Sequence, residues 1–417
     1  MRYPKIDHSS KNISAFIDES AFLWSQRWHV EQSSIEGFEA LSKLDTRLEA
    51  TIEGTLLSPD VSRVKCLEFL DADVPGAVSL SVCLAVEKSD AALWERVVNV
   101  ASSSPTKERE LSSALSWLPY KHIEPFLIDG WKSSVHSSIN NIILQALIAH
   151  RRLPSIIDWS NCFRSPEEIA ILAMHVIGVQ RRPDLLPIIE NINQDEAHLG
   201  WFSWVSLLLG NDSNTSMLLN AISAGSILTD IAFPIACQTT HKEILWEWID
   251  KISSDKDTLD IALIASGILG TTSDINRLLS LATDTSTNKQ KKRWAHAFYR
   301  ITGYYPIKQK SSQDIDLEGS LDDEELTKLS QIDELAPSDL NLAISWWKNN
   351  RENFSNNKRY RCGALLNKYT LLDQLKFASQ SERCIAAYEL GVIFQAPVVP
   401  ITAPTWRQRG FFRESYG

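Results

Sequence analysis

Hairpin turns are nearly missing from this chain. It holds 16 glycines in 417 residues, no Asn-Gly and a single Asp-Gly, at Asp129-Gly130. A hairpin-rich β fold needs such pairs repeatedly, because its tight turns demand positive φ. Zinc-protease, P-loop and nucleophile-elbow patterns are also missing: there is no HExxH, no GxxxxGK before Ser or Thr, and no GxSxG. The six cysteines, Cys66, Cys83, Cys162, Cys237, Cys362 and Cys384, are dispersed with no CxxC. Reduced, buried thiols are therefore expected rather than a disulfide framework or a zinc site.

Net basicity is lacking as well. The formal charge of −10 disfavours an extended nucleic-acid footprint, since phosphate binding needs a basic surface. One basic cluster exists, at Lys289, Lys291, Lys292 and Arg293, and reads as a solvated face. No apolar run reaches membrane-spanning length, and "MRYPKIDHSSKNISAF" has no signal-peptide core. A soluble cytoplasmic protein with no nucleic-acid or membrane partner is the expectation.

What the chain has is helical periodicity. In "RWAHAFYRITGY" (293–304), Trp294, Ala297, Phe298 and Ile301 fall at i, i+3, i+4 and i+7, one apolar stripe of an α-helix. His296 and Arg300 lie four apart on another face, expected to be the polar outer one. Gly303 stands where a left-handed residue would close the helix. Similar segments start near 106, 135, 166, 195, 228, 257 and 289, at intervals of 29, 31, 29, 33, 29 and 32 residues. Most follow a shorter helical segment, at 91, 122, 184, 243 and 275. A period of about 30 residues marks stacked helix pairs, because one pair cannot bury its own apolar stripe.

The expected fold is all-α: a HEAT-like α-solenoid at 61–306 between an N-terminal helical cap at 1–60 and a C-terminal helical module at 337–417. Nine acidic residues between Asp314 and Glu334 make 307–336 an acidic flexible linker. Ser338 is the expected N-cap of the helix that resumes in "SDLNLAISWWKNNRENF". "LLDQLKFAS" and "SERCIAAYELGVIF" read as a final helix pair capping the array, and the tail after residue 394 as extended.

Read in order, "AFLWSQR", "LDTRLEATIEGTLL", "HAFYRITGY", "SWWKNNRENFSNNKRY", "LLDQLKFASQSERCIAAYELG" and "WRQRG" resemble a family of uncharacterised bacterial HEAT-repeat-like proteins. Its members are often encoded beside the spike and PAAR-tip genes of type VI secretion systems. The resemblance is best over 21–57 and 337–410; the middle departs from it in being rich in Ser and Asn. It implies a non-catalytic adaptor or chaperone-like role around effector or spike assembly, and it carries no catalytic residue over.

Titratable clusters are weak. His241 and Glu243 are one histidine and one carboxylate at a helix start, and "LDDEEL" lacks the spacing of a calcium loop. No metal, cofactor or catalytic residue is expected. Trp346 and Trp347 lie among basic residues, a composition that stacks on single strands, but packing on the helical array is the expected use. Tryptophan is abundant, 14 in all, and Trp201, Trp204, Trp246 and Trp248, with His296 and Arg300, are the expected partner contacts. Trp201 and Trp204, three apart on one stripe, read first as core packing and only second as a partner patch. Trp246 and Trp248 are about 200° apart around a helix, so both cannot face one core. A protein-binding scaffold leads. An immunity-type protein that sequesters a toxin, or an enzyme with an unrecognised site, are the alternatives, separated by co-purifying partner, toxin rescue or a pocket of titratable groups.

Overall fold

The computed structural model describes residues 10–33, 36–133, 137–165, 167–191, 196–211, 214–285, 287–306 and 339–416. The acidic segment expected as a linker at 307–336 lies outside the described residues. Among those residues the fold is all-helical, with one two-stranded hairpin. Contacts divide the chain into two compact units. One comprises Met1–Gln32, Gly37–Gln180 and Pro400–Gly417; the other comprises Ser33–Glu36 and Arg181–Val399. This grouping does not follow the boundaries at 60, 306 and 336 read from sequence.

The first unit runs through α1 (Ser10–Glu31), α2 (Phe38–Leu56), α3 (Pro59–Asp71), α4 (Ala77–Lys88) and α5 (Ala91–Ala101). It continues with α6 (Pro105–Trp117), α7 (Tyr120–Ser133), α8 (Ser137–His150), α9 (Trp159–Phe163) and α10 (Glu167–Gln180). Alternate helices α4, α6, α8 and α10 pack side by side, and α3, α5, α7 and α9 lie against that row. The row helices are apolar almost all round: every residue of α4 from Ala77 to Val86 is buried. The flanking helices are one-sided, as in α5, which buries only Leu93, Val97 and Ala101.

The second unit repeats the plan. Its elements are α11 (Leu186–Glu190), α12 (Glu196–Leu208), α13 (Thr215–Ser223), α14 (Thr229–Thr239), α15 (Lys242–Ser253), α16 (Leu259–Leu269), α17 (Thr272–Leu281) and α18 (Asn288–Thr302). Here α12, α14, α16 and α18 form the row, with α13, α15 and α17 against it. Burying a Leu or Ile is worth about 2 kcal/mol. Leu245, Ile249 and Ile252 of α15 thus outweigh the few tenths available from exposed ion pairs, and packing rather than propensity holds these helices. The seven starts read from sequence fall on α6, α8, α10, α12, α14, α16 and α18, the row helices of both units. Thr287 caps α18 through a box with Gln290, and Gly303 closes it at φ +74°.

Two expectations about the C-terminal part are corrected, the place of the final helix pair and the form of the tail. After α19 (Leu340–Asn350), β1 (Tyr360–Arg361) pairs antiparallel with β2 (Ala364–Leu365), Tyr360 opposite Leu365. The final pair, α20 (Lys368–Phe377) and α21 (Gln380–Ile393), does not cap an end; α21 lies on α14 of the row. The tail is not wholly extended, because Thr405–Tyr416 forms a helix, α22, that returns to the first unit. There Asp45 joins the Arg27 guanidinium at 2.8 Å and the Thr405 N–H at 2.6 Å, and Arg407 donates to the Trp117 and Leu118 carbonyls ending α6. Asp339 is the N-cap of α19, accepting from Asn341 N–H at 2.9 Å, and Ser338, expected in that role, lies outside the described residues. Asp339→Ala is expected to cost about 1 kcal/mol in a chemical denaturation curve.

Candidate partner-binding site

The residues singled out from sequence do not converge on one surface. Trp204 is fully buried: it meets Trp201 and Tyr388 edge-on at 5.5 and 5.9 Å, and its N–H donates to the Ile231 carbonyl. Trp201 is only 9% exposed. Both are core, so they cannot touch a partner of the folded chain. Trp246 and Trp248 do diverge around α15, and both are half-buried. Trp248 stacks on Phe233 and donates to Ser223 Oγ at 3.0 Å, on the side of the preceding helices. Trp246 lies under the Lys242 ammonium, 5.3 Å away.

Arg300 and His296 are the largest correction. Arg300 is not on an outer face; it is 3% exposed and bonds Glu382 of α21 at 2.6 Å. His296 Nε2 is 3.5 Å from the same carboxylate. Glu382 is itself 1% exposed. Burial would push its carboxyl up, but Arg300, the His296 hydrogen bond and Arg361 outweigh that and hold it well below the usual carboxylate range. Beside it, Arg359 and Arg361 donate to the Ile268 carbonyl at the C-terminus of α16, and Arg359 also to Leu269. These are the cations that a helix C-terminus favours. Both also pair with the buried carboxylate of Glu389, which Gln238 reaches at 3.1 Å, and Arg361 lies 3.8 Å from Glu382 as well. Trp346 and Trp347 pack on Phe354, with Trp346 also on Phe298 and Tyr304. The aromatics of that segment are thus spent internally, while Lys348, Arg351 and Lys358 stay exposed.

Cysteine chemistry finds no support. All six thiols are free, and burial raises each of them, to about 11 at Cys66 and about 12 at Cys162, Cys237 and Cys384. Among the described residues no three His, Cys, Asp or Glu side chains are grouped to hold a metal. No described helix is long and apolar enough to cross a membrane.

An open site lies in the first unit, between α5 and α7 above α6 and α8. It is a cleft of about 330 Å³. Trp94 and Phe126 face each other at 4.9 Å on its walls, and Leu111, Leu115, Ile142 and Ile143 form its floor. Its polar lining is Glu95, Asn99 and Asp129, so the charges at the mouth are carboxylates with no cation among them. Trp94 is one of the 14 tryptophans of the sequence. Phe126 does not announce itself, because only the packing of α7 on α8 brings it opposite Trp94. The chain matches no family model, no curated protein and no solved structure.

Proposed function

We propose that this chain is a non-catalytic protein-binding scaffold built as a HEAT-like array, and that it holds its partner through the Trp94–Phe126 cleft. The observation that supports this is the cleft itself: preformed, apolar inside and acidic at the rim. It suits an aromatic or branched aliphatic side chain flanked by Lys or Arg on the partner. Half-buried aromatics in such a recess are anchor positions, whereas the tryptophans of the second unit's row are consumed by the core. The resemblance noted above makes a type VI effector, PAAR-tip or spike protein the partner to try first, with an adaptor or chaperone-like role in the cytoplasm.

The test is binding of purified spike and PAAR-tip proteins to the full chain, measured by interferometry. Glu95→Lys and Asp129→Lys change exposed positions and should leave the melting temperature unchanged. Together they should slow association and weaken binding by about tenfold or more at low salt. Trp94→Ala should cost about 2 kcal/mol of binding. Unchanged affinity in all three variants would remove the cleft from the interface.

A further inference from the structure

The two walls of the Trp94–Phe126 cleft are held unequally. On one side, α5 starts at an N-cap, Asp90, whose carboxylate accepts from Leu93 N–H at 3.0 Å. It buries Leu93, Val97 and Ala101, spread along its length, and contains neither proline nor glycine. On the other side, α7 contains both, in "YKHIEPFLIDGWKS". Pro125 is its sixth residue, so it withholds a helical hydrogen bond from the Lys121 carbonyl and sets its ring against that group. The residues of α7 that line the cleft, Phe126, Leu127, Asp129 and Gly130, all follow the proline.

Anchoring divides at the same point. Before Pro125, Ile123 is fully buried and His122 Nδ1 lies 2.8 Å from the Glu87 carboxylate of α4. Beyond it, Leu127 is the one buried residue of 126–132; Phe126, Ile128, Gly130 and Trp131 are half-buried. Gly130 lies against α8 with no side chain, where a Cβ would come 3.3 Å from Ile143 Cδ1, and glycine inside a helix weakens it further. Proline alone does not make a hinge. Pro234 is likewise the sixth residue of its helix, α14, but Ala232, Phe233, Ile235 and Ala236 around it are all fully buried. Packing clamps α14 on both sides of its proline, and α7 firmly on one side only.

We propose that residues 126–133 form a lid hinged at Pro125. Its opening swings Phe126 away from Trp94 and sets the rate at which the cleft admits and releases what it binds. Segments with few buried apolar contacts are the ones that open locally while the rest of a fold stays closed, and proline is where a helix bends. As regulation of the cleft, this rests on the reading of the cleft as the binding site; the movement itself needs no partner.

Hydrogen exchange of the full chain, alone in solution, tests the hinge. Amides of 127–132 should exchange at least about a hundredfold faster than those of 96–101 in α5. Pro125→Ala, at an exposed position, restores the missing bond and should slow exchange at 127–132 about tenfold or more, with α5 unchanged. Equal protection in the two walls, or a Pro125→Ala effect spread evenly over the unit, would overturn the proposal. Access to the cleft is read by thiol labelling. Leu115 on the floor is 1% exposed, so Leu115→Cys should react with iodoacetamide only through opening, followed by mass on the peptide that carries it. Adding Pro125→Ala should slow that reaction by the same factor as exchange at 127–132. An unchanged labelling rate would show that the lid does not control entry. Neither readout uses a partner, so losing the lid and losing the spike or PAAR-tip partner are separate results.

Discussion

Glu382→Ala is expected to destabilise the chain by about 3–5 kcal/mol, the cost of leaving a buried cation without its counter-charge. The Arg300 guanidinium, 3% exposed, would keep as counter-charge Asp230, 3.5 Å away and half open to water, while Arg361, fully buried, would lose the oxygen 3.8 Å from it. Replacing both members of the central pair, as Arg300→Met with Glu382→Leu, should cost much less, because an apolar pair of similar volume carries no desolvation penalty. Urea denaturation of Arg300→Met, Glu382→Leu and their double variant closes the cycle. Additive losses would show that the pair is not coupled. The carboxyl of Glu382 is held below its ordinary value, so its contribution is complete above the unfolded pKa near 4.3. It is lost as pH falls through the folded value, since the unfolded state then binds more protons. The stability of the wild-type chain should therefore drop steeply below about pH 4, and that of Glu382→Gln more shallowly.

Gly270→Ala is expected to cost about 3 kcal/mol or more, through strain and collision together. Gly270 ends α16 at φ +72°, and a Cβ there would lie 2.4 Å from the Tyr360 carbonyl oxygen. The approach is tight because the hairpin strand hydrogen-bonds this corner: Tyr360 N–H donates to the Gly270 carbonyl at 2.7 Å. Cys362 and Gly363 N–H likewise serve the Arg300 and Ile301 carbonyls of α18. Gly225→Ala is the control, since its φ is +74° but nothing lies within 4 Å of the added atom. It should cost only about 1 kcal/mol. Equal melting temperatures for the two variants would mean that the hairpin yields, and that the collision is not a constraint.

The helical content and its spacing were legible because both are local. The stripe of Trp294, Ala297, Phe298 and Ile301, the cap at Thr287 and the stop at Gly303 all depend on contacts within four residues. Burial along each helix was legible only on one side. Arg300 follows Lys292, Arg293 and His296 along the helix, and from sequence it is indistinguishable from a solvated arginine. What buries it is Glu382, 82 residues later, on a helix whose own pattern names no partner. Trp204 is a similar case: its i, i+3 relation to Trp201 favours a core but leaves a docking patch open, and Tyr388 decides between them.

By itself, then, the sequence determined that this protein is helical, where its row helices start and which residues close several of them, because those outcomes are set by the 3.6-residue period and by side chains bonding nearby backbone. Only the tertiary structure decided which polar groups are interior and which aromatics stay open. The cost of an unpaired buried charge, and the space between two helices, depend on segments tens to hundreds of residues apart. Arg300 with Glu382 went inside by that rule; Trp94 with Phe126 stayed at the surface by it.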